Sequence, residues 1–99
     1  MSVWHFKRGK RETAFAELDK VLNTATRHAE GFRGYMSMLS KDDANSATIL
    51  TLWQNEEALR ASEIGVFADA IKKIEGSLEG NPRTENFRVF STELFQRSM

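Results

Sequence analysis

The stretch "TILTLWQNEEALRAS", Thr48 to Ser62, changes its periodicity in mid-course. Up to Trp53 it consists of β-branched and large apolar residues, the composition of a strand. From Asn55 the pattern is that of a helix start, because Asn is a good N-cap and Glu56 and Glu57 fall in the first turn, where the helix dipole favours negative charge. A strand from Ala47 to Trp53 therefore delivers an indole to the foot of a helix. Trp53 has two readings: filler of the gap between sheet and helix, or wall of a pocket. One ring can serve both.

Upstream, "GFRGYMSML" (Gly31 to Leu39) predicts a second strand, with Phe32, Met36 and Met38 on one face and Tyr35 and Leu39 on the other. The intervening "SKDDANS" is turn chemistry, so these two strands pair antiparallel. Before them Phe15, Leu18, Leu22, Ala25 and Ala29 recur at spacings of three and four, the buried stripe of an amphipathic helix. Gly31 closes that helix, and His28 in its last turn suits the negative end of the dipole better than a metal, since no second ligand stands at ligating distance. A first strand covers Val3 to Phe6. The basic "KRGKR" (Lys7 to Arg11) that follows is expected to be a solvated strand-to-helix connection rather than an anion site.

Downstream, Gly65 weakens a helix interior and predicts a bend or break near "SEIGVF". Phe67, Ile71, Ile74 and Leu78 form a further helical stripe, stopped by Gly80 and Pro82. A last strand is expected from about Glu85 to Leu94, with Phe87 and Val89 opposite Phe90 and Leu94. Two consecutive strand-helix-strand units predict an α+β, ferredoxin-like fold: a four-stranded antiparallel sheet with its helices on one face. The whole chain, residues 1–99, reads as a single domain with a core over about 3–94 and a short C-terminal tail.

The strands are apolar on both parities, although helices cover only one face of such a sheet. The other face would expose a contiguous apolar patch of several hundred square ångströms, roughly the limit for a monomer. A homodimer with the sheets packed face to face is therefore expected, with Leu94, Phe95 and Met99 reaching the partner. Composition narrows the function classes. Fourteen basic and fourteen acidic residues cancel without a like-charge block, which argues against a nucleic-acid partner. The chain has no cysteine, so thiolate ligands, disulfides and cysteine nucleophiles are excluded and the cytoplasm is the expected compartment. No apolar run approaches the roughly 20 residues that span a bilayer, and the N-terminus turns charged too early for a secretion signal, so no membrane association is expected.

"EGFRGY" and, above all, "ILTLWQNEEALRASEIGVFADAIKKI" (Ile49 to Ile74) resemble the antibiotic biosynthesis monooxygenase (ABM) family of dimeric α/β-barrel proteins. The resembling stretch includes Trp53, Glu56, Glu57, Ala58, Leu59, Val66 and Phe67, and the likeness runs from Val3 to about Leu94. It implies a dimeric α/β barrel with a pocket between sheet and helices in each subunit, in which a small aromatic substrate of the quinol or polyketide-like kind reacts with oxygen without metal or flavin. The protein's part in such chemistry is to deprotonate the substrate, stabilise its anion and exclude water. Trp4, Trp53, Phe67 and Ile71 are expected to line the site, for a small apolar or aromatic ligand.

A haem-degrading branch of the family resembles an asparagine, tryptophan, histidine pattern. Its counterparts here are Ser2, Trp53 and Ile71, and isoleucine cannot ligate iron, so that role is not expected. His5 alternates with Trp4 and Phe6 and should face away from the pocket, while Asp69 reads as a solvated helix residue. No catalytic residue is therefore assigned, and no metal or cofactor is expected. A non-catalytic ligand-binding or sensing dimer fits the shortage of acid-base groups equally well, and a module whose interior is filled by its own side chains is a third reading.

Overall fold

The computed structural model describes residues 1–63 and 66–91, without the side chains of residues 25–27, 62, 63, 66 and 67. Seven regular elements follow one another: β1 (Ser2–His5), α1 (Arg11–His28), β2 (Phe32–Leu39), β3 (Ser46–Trp53), α2 (Glu56–Glu63), α3 (Val66–Ile74) and β4 (Arg83–Thr84). The strands lie in the order β2-β3-β1-β4 with antiparallel neighbours throughout. This is the ferredoxin-like α+β architecture that the two strand-helix-strand units imply. Among the described residues no helix is long and apolar enough to cross a membrane.

One core holds the layers together. Trp4 and Phe6 from the first strand and Ala47 and Ile49 from β3 meet Phe15, Leu18 and Leu22 of α1 and Ala70 and Ile74 of α3. The helical stripe thus buries Phe15, Leu18 and Leu22, Ala29 just beyond α1 is partly buried against the core, and the side chain of Ala25 lies outside the described residues. Phe6 and Phe15 meet edge to face at 5.9 Å, the geometry that the ring quadrupoles prefer. Leu18, Leu22 and Ile49 are fully enclosed, and each such side chain contributes about 1.5–3 kcal/mol through removal from water.

Two sequence expectations require correction. Phe32 does not share a face with Met36 and Met38. The pairing of β2 with β3 shifts register between Phe32 and Gly34, and Gly34 has φ 150°, a bulge geometry that turns Phe32 inwards. Phe32 is buried and stacks on Tyr35 at 6.3 Å, whereas Met36 is 54% exposed. The last strand also falls short of Glu85 to Leu94. Only Arg83 and Thr84 pair as a strand, with Val3 and Ser2, and Glu85 exchanges backbone bonds of 2.8 Å with Met1. Residues 85–91 have no regular structure, and Phe87, Val89 and Phe90 are exposed instead of alternating across a sheet. Leu94, Phe95 and Met99 lie outside the described residues.

Arg11, the last residue of the basic connection, is mostly buried and structural. Its Nη1 donates to the carbonyls of Ser40, Asp43 and Ser46 at 3.0–3.2 Å, tying the start of α1 to the β2–β3 turn. Glu12 accepts from the same guanidinium, which holds its carboxyl below the usual range, helped by its own backbone N–H. Lys7, Arg8 and Lys10 are exposed, as a solvated connection requires.

The junction of α1 and β2 is tight. Gly31 has φ 80°, and a Cβ there would stand 2.6 Å from Cβ of Ala58. Gly31→Ala is expected to cost roughly 2–3 kcal/mol from the left-handed conformation and the overlap together, read as a lowered urea midpoint. Gly76→Ala, in the 3-10 turn Glu75–Ser77, meets nothing within 4 Å and should be neutral or stabilising; equal midpoints for the two variants would contradict this packing. The only tyrosine of the chain offers a second check. Partial burial, then the nearby charge of Asp19, raise the Tyr35 phenol above its ordinary value of 10.0. The fold favours the neutral phenol, so its contribution to stability is complete below the unfolded midpoint and is lost as pH rises through the folded one. A spectrophotometric titration should place the native midpoint above that of the unfolded chain, and Asp19→Asn should lower it; coincident native and unfolded curves would refute the assignment.

Candidate functional site

A cleft of about 300 Å³ opens between the helix-covered face of the sheet and the α2–α3 layer. Its floor is set by strand alternation. Ser2 and Trp4 of β1 lie opposite Ile49 and Ala47 of β3, and the same parity continues along β3 to Thr51 and Trp53. Ser2, Trp4, Ile49, Thr51 and Trp53 accordingly all line the cleft. Leu59 of α2 with Ala68 and Ile71 of α3 form the opposite wall, and Pro82, Thr84 and Asn86 border it where the chain leaves the sheet.

Trp53 answers the question its position raises by performing both roles. Its ring packs on Phe32, with centroids 4.7 Å apart and an interplanar angle of 31°, while another part of it faces the cleft. The local sequence positions it. Asn55 caps α2 by accepting from the backbone N–H of Ala58 at 2.9 Å, and Gln54 N–H donates to Gly31 O at 2.7 Å, so the chain turns from strand to helix directly after the indole. Trp4 is 97% enclosed and belongs to the core, and it also lines the cleft.

The indole nitrogens are used internally. Trp4 Nε1–H donates to Ser2 Oγ at 2.7 Å, and Trp53 Nε1–H donates to Thr51 Oγ1 at 3.0 Å. Indole nitrogen is a donor only, so both rings meet the cleft as apolar surfaces with no donor of their own to satisfy. The side-chain polar groups lining it are hydroxyls and the Asn86 amide, and Met1, whose amino group donates to Glu85 O at 2.8 Å, also lines it.

Three of the four expected site residues, Trp4, Trp53 and Ile71, come together here; the side chain of Phe67, in α3, lies outside the described residues. Ser2, Trp53 and Ile71, the expected counterparts of the asparagine, tryptophan and histidine pattern, all line this one cleft. At the third of those positions an alkyl group stands where that pattern has a metal-ligating nitrogen. His5 is exposed on the opposite face of the sheet, His28 is exposed at the end of α1, and Asp69 is exposed outside the cleft lining. Among the described residues the cleft holds no histidine, carboxylate or lysine, and no cluster of three or more side chains that could hold a metal ion is found. Sequence reasoning missed Thr51, Leu59, Thr84 and Asn86. Counting back two residues from Trp53 would have found Thr51; Thr84 and Asn86 were hidden by the misplaced last strand.

The model of the antibiotic biosynthesis monooxygenase family matches residues 2–63. Among solved structures, a Bacteroides thetaiotaomicron protein provisionally named as an antibiotic biosynthesis monooxygenase superposes with a TM-score of 0.78 at 15% identity, over 97% of this chain and 91% of that one. A Caulobacter crescentus protein with the same provisional name gives 0.74 at 16% identity, over 83% and 78%. A Pseudomonas aeruginosa protein gives 0.69 at 19% identity, over 89% of each chain. At these identities the likeness establishes the fold. No curated protein matches the sequence.

Proposed function

Because the chain belongs to the antibiotic biosynthesis monooxygenase family, we propose that it oxidises a small aromatic substrate, of the quinol or polyketide-like kind, with molecular oxygen and without a cofactor. The observation that carries this reading is the cleft between two indoles whose nitrogens are already bonded. Its volume of about 300 Å³ is at the small end of ligand sites, and its walls suit a flat, largely apolar molecule. We assign ligand contact to Trp4, Trp53, Phe67 and Ile71.

The chemistry asks little of the protein. An electron-rich phenolate or enolate reacts with oxygen itself once it is formed and shielded from water. For an anthrone-type methylene, one oxygen atom becomes the new carbonyl, the other leaves as water with both methylene hydrogens, and the substrate supplies all four electrons. With Asp69 outside the cleft, deprotonation falls to bound water or to a substrate acidic enough to enter as its anion. The absence of a titratable side chain among the described lining residues favours a second reading, a ligand-binding or sensing protein that uses the same cleft without turnover.

The working unit in either reading is a homodimer of this single domain, in the cytoplasm, with the sheets packed face to face. Val3, Leu50 and Leu52 are only half-buried on the face away from the helices, and Met36 and Met38 beside them are exposed. A second copy of the same surface would cover them. Sedimentation at micromolar concentration should return the mass of two chains, and Leu50→Asp should shift it towards one; a compact single chain for the unaltered protein would remove this assembly. Oxygen consumption above the buffer rate is expected with hydroquinones or anthrones, accompanied by quenching of the intrinsic fluorescence, since Trp4 and Trp53 are the only two tryptophans. Quenching without oxygen uptake would select the sensing reading.

A further inference from the structure

The cleft floor repeats one small pattern on adjacent strands. Ser2-Val3-Trp4 and Thr51-Leu52-Trp53 each place a hydroxyl two residues before a tryptophan, on the same face of a strand, and in both the indole N–H donates to that hydroxyl. The antiparallel register sets their order. Along β3, Trp4 lies beside Ala47 and Ser2 beside Ile49; Thr51 and then Trp53 follow. The row therefore runs indole, hydroxyl, hydroxyl, indole, with both hydroxyls between the two rings.

A serine or threonine hydroxyl has one proton to give and two lone pairs to receive. Each of these already receives an indole proton, which fixes the oxygen and polarises its O–H towards stronger donation. We propose that Ser2 and Thr51 are paired oxygen anchors: they donate to acceptor oxygens in the middle of a flat ligand while Trp4 and Trp53 hold its apolar flanks. The ligand class follows from the direction of the bonds. Quinone carbonyls and phenolate or enolate oxygens accept such donors, and hydrocarbons do not. In the oxidation proposed above the same hydroxyls would stabilise the substrate anion, so the inference rests on that reading of the cleft while naming residues and a preference it leaves open. Trp4 and Trp53 then act on ligand oxygens through their neighbours, as positioning residues.

Fluorescence titration of the intact protein with naphthoquinone and naphthalene separates anchoring from simple apolar binding, and the lack of cysteine removes thiol addition to the quinone as a complication. Naphthoquinone should bind about tenfold more tightly than naphthalene, the worth of one to two neutral hydrogen bonds. Ser2→Ala and Thr51→Val should each remove several-fold of that preference, read as the ratio of the two affinities. Thr51→Ser should keep the preference, and Trp4→Phe, which retains the flat ring and deletes the N–H, should reduce it; these two variants decide the matter if Thr51→Val does not fold. Equal affinities in the unaltered protein, or a preference that survives the hydroxyl deletions, would overturn the anchoring role and leave the apolar cleft intact as a site. Failure of both probes to bind would overturn the anchors and the proposed function together.

Discussion

The register between β1 and β3 is the constraint on which the rest of this molecule depends. Pairing Trp4 with Ala47 and Ser2 with Ile49 sends Trp4 and Ile49 into the core and puts Ser2 at the cleft. The period of a strand is two, so a slip of β1 by one residue would turn Val3 and His5 inwards and Ser2 and Trp4 outwards. Burial resists that slip: His5 would lose its solvation while Trp4 lost its packing.

Core and cleft are continuous. Trp53 packs on Phe32 and walls the cleft, Trp4 is almost wholly enclosed yet touches it, and Ile71 packs against the core cluster from the other side. Side chains that belong to both hold the shape of the site with the rigidity of a packed interior, where filled rotamer wells leave little room for rearrangement. Family membership and geometry meet at this point. The oxidation proposed for this cleft would need shelter more than reactive side chains, and these residues enclose the cleft.

Much of this was legible in the residues alone, for identifiable reasons. The α1 stripe, the Asn55 cap and the two-sided apolarity of β1 to β3 all follow from local periodicity and capping chemistry, while the bend expected near Gly65 lies outside the described residues. So did the convergence of Trp4, Trp53 and Ile71. Two features did not. The inward turn of Phe32 depends on a bulge at Gly34, and a glycine in a strand does not announce on which side of it the parity changes. The extent of β4 depends on a pairing partner, a property absent from the apolar run of Phe87, Val89 and Phe90 itself. Apolar alternation described what that segment would do with a neighbour, and among the described residues no strand pairs with it.

Arg11 carries a different kind of information. One guanidinium nitrogen serves three carbonyl oxygens of the β2–β3 connection from a position 29 to 35 residues earlier in the sequence. A lysine, with a single compact charge and no planar fork, is a poor substitute. The conformation of residues 40–46 is thereby specified partly outside their own sequence. Descendants of this chain could redraft the loop while the distant arginine stands, whereas losing the arginine would oblige the loop to find a turn chemistry of its own; inheritance at these two places is joined.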